Sequence, residues 1–215
     1  MFKLIIFDLD GTLVDSTQLS KMTYFEVLRK MGYDPELYWE THRKSSGLPY
    51  EEQLRRANPE LVVRKDEYLR LYKEAHKTLI GKAVVEYPGV DAMLKSITIP
   101  KAIMTAKIGS SANVMIKDIL KVDFDYISTH EMRQHHKPSP EPLLEICERF
   151  NVKPEEAIYV GDGVHDVECA KNAGVVSVAV AWGNYYTAEE LENLKPDFLV
   201  YKPEEILEIL NRISN

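Results

Sequence analysis

Short apolar segments recur along the chain, separated by longer stretches in which apolar residues repeat at helical spacing. Apolar runs that do not alternate with polar residues are typical of strands buried on both faces of a parallel sheet. Five segments have this character: residues 4–7 (LIIF), 101–104 (KAIM), 157–160 (AIYV), 175–180 (VVSVAV) and 198–200 (FLV). Strands that alternate with helices predict an α/β fold, a doubly wound, mostly parallel sheet with a Rossmann-like core.

One region breaks this alternation, because no segment between Asp15 and about Lys82 has the pattern of a strand. Helices are predicted instead, at residues 36–43, 50–57 and 60–79 and where Leu19, Met22, Phe25, Leu28 and Met31 repeat. We therefore predict a core of residues 1–15 and 83–215 and a small all-helical domain, residues 16–82, inserted after the first strand. Two chain crossings suit a lid that opens and closes, although helices that merely extend the core would give the same pattern.

Composition limits the class of protein further. The chain has 215 residues, 45% of them hydrophobic and 28% charged, which is ordinary for a globular protein with one sizeable core. The net charge is −7 without a long run of like charge, so neither a nucleic acid nor a membrane surface is an expected partner. The first apolar run ends at Asp8, too early for a secretory signal, and no run is long enough to span a membrane. Cys147 and Cys169 form no CxxC pair, so we expect reduced thiols and a cytoplasmic protein. The sequence does not indicate the oligomeric state.

Three of the predicted strands end at polar residues of a reactive type. These residues are Asp8 and Asp10 after the first strand, Thr105 after the second, and Asp162 after the third. Ligands of open parallel sheets bind outside the carboxyl ends of the strands, so these side chains converge if the strands are neighbours. Asp166 lies four residues beyond Asp162, near the start of the next helix, and can reach the same place. Lys137 precedes Pro138 in a loop just ahead of a helix.

Such a site favours phosphate chemistry. Four carboxylates brought together repel one another, and a hard divalent cation such as Mg²⁺ removes that conflict while leaving room for a phosphate oxygen. The hydroxyl of Thr105 and the ammonium group of Lys137 suit the remaining phosphate oxygens. The set therefore fits phosphoryl transfer through an acyl-phosphate on an aspartate, with Mg²⁺ as cofactor.

Four motifs occur in a recognisable order: FDLDGTLVDS, AIMTAK, HHKPSPEPL and YVGDGVHDVECAKNAG. Together they span nearly the whole predicted core and resemble the four motifs of the haloacid dehalogenase-like phosphatases. The helical insert resembles the cap domain of the phosphoglycolate phosphatase-like branch, and SSGLPYEEQL resembles the cap loop of that branch. The resemblance implies a phosphatase with a Rossmann-like core and a helical cap.

The resemblance also implies roles for the acidic residues. Asp8 is expected to attack phosphorus and form the aspartyl-phosphate. Asp10 is expected to protonate the leaving oxygen and then to take a proton from the hydrolytic water. The side chains of Asp8 and Asp162 and the backbone carbonyl of Asp10 are expected to hold Mg²⁺, with Asp166 as a further ligand or in contact with one.

The expected phosphate and substrate contacts follow from the same resemblance. Thr105 and Lys137 are expected to bind the transferred phosphoryl group. Gly47 and Leu48, in the segment that resembles the cap loop, are expected to face the substrate.

These expectations leave several functions open. The leading hypothesis is a phosphatase for a small phosphorylated metabolite, with phosphoglycolate first and pyrophosphate next. A phosphomutase similar to β-phosphoglucomutase uses the same groups, and a non-enzymatic phosphate-binding or signalling domain uses most of them. The Asp8-x-Asp10 spacing argues against a signalling domain, because a second acid speeds turnover. His130, His135 and His136 fit no common zinc spacing, and the roles of these residues and of His165 stay open.

Overall fold

A computed structural model describes residues 1–45, 48 and 50–212 of the chain. Contacts between α-carbons divide it into two compact units, one formed by Met1–Asp15 with Val85–Asn215 and the other by Ser16–Val84. The boundary that the sequence predicts, between residues 82 and 83, lies two residues before the boundary between these units. Among the described residues, no helix combines the length and the apolar character needed to cross a lipid bilayer.

Within the described residues, eight strands form two sheets, and both sheets belong to the larger unit. In chain order they are β1 (Leu4–Phe7), β2 (Val14–Asp15), β3 (Val85–Glu86), β4 (Lys101–Met104), β5 (Tyr126–Ser128), β6 (Ala157–Gly161), β7 (Val176–Val180) and β8 (Phe198–Val200). Six of them pair in parallel in the order β5-β4-β1-β6-β7-β8, and this confirms the predicted doubly wound α/β fold. All four residues of β1 are buried, as a strand near the middle of such a sheet requires.

The helices are, in chain order, α1 (Thr17–Lys30), α2 (Trp39–Lys44), α3 (Tyr50–Ala57), α4 (Pro59–Val63), α5 (Lys65–Leu79), α6 (Val90–Ser96), α7 (Gly109–Val114), α8 (Glu141–Arg149), α9 (Val164–Ala173), α10 (Ala188–Asn193) and α11 (Glu204–Arg212). A π-helical turn, Met115–Leu120, continues α7. Leu143 and Cys147 of α8 and Cys169 of α9 pack with Leu4 and Tyr159 of the sheet in one hydrophobic core cluster. Both cysteines are buried and free.

The smaller unit is built from α1 to α5 around an aromatic core. The ring of Tyr24 stacks on the ring of His42 at 3.9 Å between centroids, and Tyr68 and Trp39 pack beside Tyr24. The helix predicted over residues 60–79 is two helices, α4 and α5, which are separated at Arg64.

Met22 is the exposed member of the apolar repeat that predicted α1. Its relative exposure is 44%, whereas Leu19 and Leu28 are fully buried. Each residue turns an α-helix by about 100°, so a strict repeat of three residues drifts by about 60° at each step and leaves any single face. The other members of the repeat, including Phe25 and Met31, are buried, and the buried side of α1 also includes Tyr24 and Val27.

The second sheet is a short antiparallel pair, β2 with β3, where the chain leaves and re-enters the larger unit. Val14 pairs with Glu86, and Asp15 pairs with Val85. The two chain segments that flank the insert therefore lie side by side within the larger unit.

Candidate active site

The register of the sheet brings the reactive residues of three neighbouring strands to one edge. Phe7 of β1 is level with Ile103 of β4 on one side and with Val160 of β6 on the other. Asp8 follows Phe7 directly, and its backbone N–H still donates to the carbonyl of Val160 at 2.8 Å. Thr105 lies two residues beyond Ile103, and Asp162 lies two residues beyond Val160. The side chains of Asp8, Thr105 and Asp162 therefore all leave the carboxyl edge of the sheet close to β1. The chain order of the sheet reverses on either side of β1, which is where open α/β sheets bind ligands.

Three of the predicted acids form a compact buried triad. One carboxylate oxygen from each of Asp8, Asp162 and Asp166 lies within 4.8 Å of the other two. All three residues are at most 9% exposed. Burial raises the pKa of Asp8 to about 7, with Asp166 and Asp10 adding to the rise and Lys137 opposing it. Burial and the charges of Asp166 and Asp8 also raise the pKa of Asp162 well above its ordinary value.

Lys137 supplies a positive charge inside the triad. Its Nζ lies 2.7 Å from Oδ1 of Asp166 and 3.0 Å from Oδ1 of Asp8, and the residue is 6% exposed. Burial alone would lower the pKa of Lys137, but the carboxylates of Asp166 and Asp8 outweigh burial and raise it. Lys137 is therefore a permanent cation that two of the three carboxylates share.

Asp166 is held by further hydrogen bonds. The hydroxyl of Tyr159 donates to its Oδ1 at 2.9 Å, and the backbone N–H of Gly163 donates to its Oδ2 at 2.9 Å. Asp166 therefore both caps the first turn of α9 and faces the triad. This position explains how one residue four places beyond Asp162 reaches the same site.

Asp162 is oriented by the loop that follows β1. The hydroxyl of Thr12 donates to Oδ1 of Asp162 at 3.3 Å, and the carbonyl of Thr12 accepts a hydrogen bond from the indole of Trp182 at 3.0 Å. Gly11 has a φ of +78°, and a Cβ there would lie 2.1 Å from Oδ2 of Asp162. The turn that follows Asp10 thus needs glycine both for its backbone and for the space that Asp162 occupies.

Replacing Gly11 by alanine should destabilise the protein more than the same change at Gly32. Gly32 has a φ of +86°, and a methyl group added there would meet nothing within 4 Å, so Gly32→Ala carries only the backbone strain of about 1–2 kcal/mol. Gly11→Ala adds the collision with Asp162, which costs about 1–3 kcal/mol more. Denaturant unfolding of both variants measures the difference. Equal losses of unfolding free energy would show that Asp162 moves aside without cost.

Thr105 and Asp10 follow neighbouring strands at the same edge of the sheet. Oγ1 of Thr105 accepts a hydrogen bond from the backbone N–H of Lys107 at 3.1 Å, and the carbonyl of Thr105 accepts one from the guanidinium of Arg133. The carboxylate of Asp10 lies outside the triad and 3.0 Å from Nζ of Lys107. The prediction that the backbone carbonyl of Asp10 binds the cation stays a prediction.

The triad fits a hard divalent cation. Carboxylate oxygens are the ligands that Mg²⁺ prefers, and a cation would offset the burial and the mutual repulsion that raise the pKa of Asp8 and Asp162. Oδ1 of Asp8 is shielded from solvent. It lies 3.0 Å from Nζ of Lys137 but without hydrogen-bond geometry, so it can still bind a cation. Nothing in the donor set favours a soft metal, because all three ligands are oxygen.

Two predicted residues belong to the segment that resembles the cap loop. Gly47 lies outside the described residues. Leu48 belongs to the smaller unit, where its carbonyl accepts a hydrogen bond from the side chain of Gln53 at 2.7 Å. Its predicted contact with substrate stays a prediction.

The histidines form no metal-ligating group in the part of the chain that the structure describes. The rings of His130 and His136 stack at 4.1 Å between centroids, and Nδ1 of His165 lies 3.5 Å from Oε2 of Glu168. Sequence reasoning assigned no role to Lys107, Tyr159 or Thr12. Lys107 follows Thr105 by two residues in the same loop, and this position could have identified it as a site residue. The contacts of Tyr159 and Thr12 join distant parts of the chain, so no local pattern identifies these two residues.

Comparison with known proteins agrees with this geometry. The family model of the haloacid dehalogenase-like hydrolases matches residues 5–180. Pyrophosphatase PpaX of Bacillus velezensis is 33% identical over 211 residues, which cover 95% of this chain and 94% of that protein. A haloacid dehalogenase-like family hydrolase of Streptococcus pneumoniae superposes with a TM-score of 0.83 at 26% identity, covering 97% of this chain and 98% of that one.

A predicted phosphoglycolate phosphatase of Haemophilus somnus superposes with a TM-score of 0.82 over 97% of this chain and 98% of that one. Its identity is 23%, so it supports the fold alone. The family match covers most of the chain, including the triad, Lys137 and Thr105. The chain therefore belongs to the haloacid dehalogenase-like hydrolase family and is a phosphatase of that family.

Proposed function

We propose that this protein is a Mg²⁺-dependent phosphatase that hydrolyses a small phosphorylated metabolite through an aspartyl-phosphate on Asp8. The observation that carries the proposal is the position of Asp8, which is buried at the end of β1 between Lys137 and two further carboxylates. The proposed partner is this metabolite. Neither a nucleic acid nor a membrane is a proposed partner, and the proposed location is the cytoplasm.

Asp8 acts first, as the nucleophile. Its Oδ attacks phosphorus and forms a new P–O bond, while the bond from phosphorus to the leaving oxygen breaks and that oxygen keeps the electron pair. Asp8 must be ionised to attack, and the fixed charge of Lys137 favours the ionised form against the effect of burial. Lys137 and the hydroxyl of Thr105 bind the transferred phosphoryl oxygens.

Asp10 moves the protons. It is 26% exposed at its side chain and stands outside the triad, so it can reach both a leaving oxygen and solvent. It gives a proton to the leaving oxygen in the first step. In the second step it takes a proton from the attacking water, the bond between phosphorus and Oδ of Asp8 breaks, and Asp8 regains its carboxylate as inorganic phosphate leaves.

The cation site completes the proposed chemistry. Asp8, Asp162 and the carbonyl of Asp10 would hold Mg²⁺, and Asp166 would ligate it or orient a ligand. Bound Mg²⁺ supplies positive charge that stabilises the phosphoryl oxygens as their charge redistributes.

Two substrates are favoured. The resemblance of the helical insert to the cap of the phosphoglycolate phosphatase-like branch supports a phosphoglycolate-like monoester. The similarity to PpaX of Bacillus velezensis, which is named a pyrophosphatase, supports inorganic pyrophosphate. Both fit the same nucleophile and the same proton transfers.

Phosphate release from a panel of small phosphate esters and pyrophosphate tests this proposal. We expect one compound, or a few related compounds, to be hydrolysed in Mg²⁺, and we expect hydrolysis to stop in excess chelator and to return with excess Mg²⁺. Full activity in chelator would contradict the cation site. Inactivity across the panel, combined with isomerisation of a sugar phosphate that requires a sugar bisphosphate, would identify a mutase instead.

A further inference from the structure

Residues 182–184 form a short segment beside Asp162, and the proposed chemistry does not use them. The segment begins two residues after Val180, the last residue of β7, and Asp162 directly follows Gly161, the last residue of β6. Gly161 is level with Ala179 in the sheet, so the chain that leaves β7 passes alongside Asp162. All of these residues belong to the larger unit.

Gly183 is packed directly against Asp162. A Cβ added at Gly183 would lie 2.7 Å from Cβ and 2.8 Å from Oδ2 of Asp162, and 3.0 Å from the carbonyl oxygen of Gly11. The φ of Gly183 lies outside the left-handed region, so alanine could adopt this backbone and the lack of space alone requires glycine. Rotation of the carboxylate would not relieve the collision, because the Cβ of Asp162 moves only with its backbone.

Trp182 holds Asp162 from a second side, through Thr12. The indole N–H of Trp182 donates to the carbonyl of Thr12 at 3.0 Å, and the hydroxyl of Thr12 donates to Oδ1 of Asp162 at 3.3 Å. Thr12 and Asp162 are both buried. One carboxylate oxygen of Asp162 is therefore held by a hydrogen bond, while the other lies next to Gly183.

The far end of the segment is anchored on the strands that flank the helical insert. The side-chain amide of Asn184 donates to Oδ2 of Asp15 at 2.9 Å and to the hydroxyl of Tyr87 at 3.3 Å. Asp15 is the last residue of β2, and Tyr87 directly follows β3. The N–H of Tyr87 in turn donates to the carbonyl of Leu13 at 3.2 Å. The segment is thus fixed at both ends to the chain that follows β1.

We propose that residues 182–184 are positioning residues that set the affinity of the active site for its divalent cation. This inference rests on the proposed function, because it takes Asp162 to be a ligand of Mg²⁺. Mg²⁺ requires near-ideal octahedral geometry, so a displaced carboxylate binds it more weakly. Residues that orient metal ligands typically contribute about 10–100-fold to metal affinity. The contacts of the segment converge on Asp162 rather than on Asp8, so we expect the effect in cation binding itself.

Gly183→Ala tests this role most directly. In titration calorimetry of metal-depleted protein with Mg²⁺ alone, we expect the dissociation constant to rise about 10–100-fold. The rise in unfolding midpoint that Mg²⁺ causes should shrink in parallel, because a cation stabilises the folded state in proportion to its binding. Gly81→Ala is the matched control: a methyl group there meets nothing within 4 Å, and the φ of Gly81 also lies outside the left-handed region. It should bind Mg²⁺ as the wild type does.

Trp182→Phe is a second, milder test that stands even if Gly183→Ala does not fold. Phenylalanine keeps an aromatic ring but cannot donate to the carbonyl of Thr12. We expect the dissociation constant for Mg²⁺ to rise about fivefold, the equivalent of one neutral hydrogen bond. Trp39→Phe, the same substitution in the aromatic core of the smaller unit, is its control and should leave Mg²⁺ binding unchanged.

The outcomes separate this inference from the proposed function. Wild-type affinity for Mg²⁺ in every folded variant of the segment would overturn the positioning role and leave the phosphatase intact. A lower unfolding midpoint in chelator combined with unchanged Mg²⁺ affinity would overturn it too, since the segment would then serve folding alone. An equal loss of affinity in Gly81→Ala would have the same consequence. A wild-type protein that binds no Mg²⁺ would instead overturn the cation site of the proposed function, and this inference with it.

Discussion

Replacing Asp8 by asparagine should lower kcat by roughly 10⁴-fold or more, the scale seen when a nucleophile is removed. An amide oxygen carries no charge and cannot form the aspartyl-phosphate. The same change should leave the thermal unfolding midpoint equal to or above that of the wild type in chelator. Burial and the neighbouring acids disfavour the Asp8 carboxylate, as its pKa of about 7 shows, and a neutral isostere removes that repulsion. Lys137 lies 2.7 Å from Asp166 and should keep this partner in the variant.

Asp118→Asn is the matched control for this experiment, because Asp118 is exposed on the π-helical turn outside the active site. It should retain wild-type turnover and stability. Wild-type phosphatase activity in clean Asp8→Asn protein would refute the assignment of Asp8 as the nucleophile. A large fall in the unfolding midpoint of Asp8→Asn would show that the ion pair between Asp8 and Lys137 stabilises the fold.

Replacing Lys137 by methionine should damage both activity and stability. We expect kcat/KM to fall by about 10²–10³-fold, because a charged contact to the phosphoryl oxygens is lost. In chelator the free energy of unfolding should fall by about 3–5 kcal/mol, as expected when one partner of a buried ion pair is removed. Asp8 and Asp166 would then face each other without a counter-charge.

The pH dependence of this variant has a definite sign. Without Lys137 the pKa of Asp8 rises further in the folded protein, while it stays near its ordinary value in the unfolded chain. The folded variant therefore binds more protons than the unfolded chain between those values, so its stability falls as pH rises through that range. Unfolding should be measured between pH 5 and 9, in chelator and in Mg²⁺, which should restore part of the loss. A loss of stability that is the same at every pH would contradict this explanation.

The sequence predicts the centre of the fold well because the relevant signals are local. An uninterrupted apolar strand that ends in Asp8 is recognisable by itself, and so is the strand that ends at Gly161 with Asp162 after it. The edge strand β5 has only three residues, two of them half-buried, and its neighbours in the chain are polar, so its pattern is too weak to recognise.

Contacts between distant residues account for the rest. The pair formed by Lys107 and Asp10 joins loops after two different strands, and no spacing along the chain encodes it. The hydrogen bond from Thr12 to Asp162 spans 150 residues. The exposure of Met22 is not readable from the apolar repeat either, since a repeat of three residues approximates the helical period without matching it.

The short β2–β3 pair has a consequence for how such a protein can be rebuilt. Since Asp15 and Val85 are paired strand residues, their α-carbons are about 4.5–5.5 Å apart, a gap that a tight turn closes. Everything from Ser16 to Val84 is thus a cassette whose two ends already meet. Exchanging it for another helical module, or for a two-residue hairpin turn, alters no strand of the six-stranded sheet and none of the four active-site acids. Recombination at this one junction can therefore replace the helical unit while the strands that carry the reacting groups stay as they are.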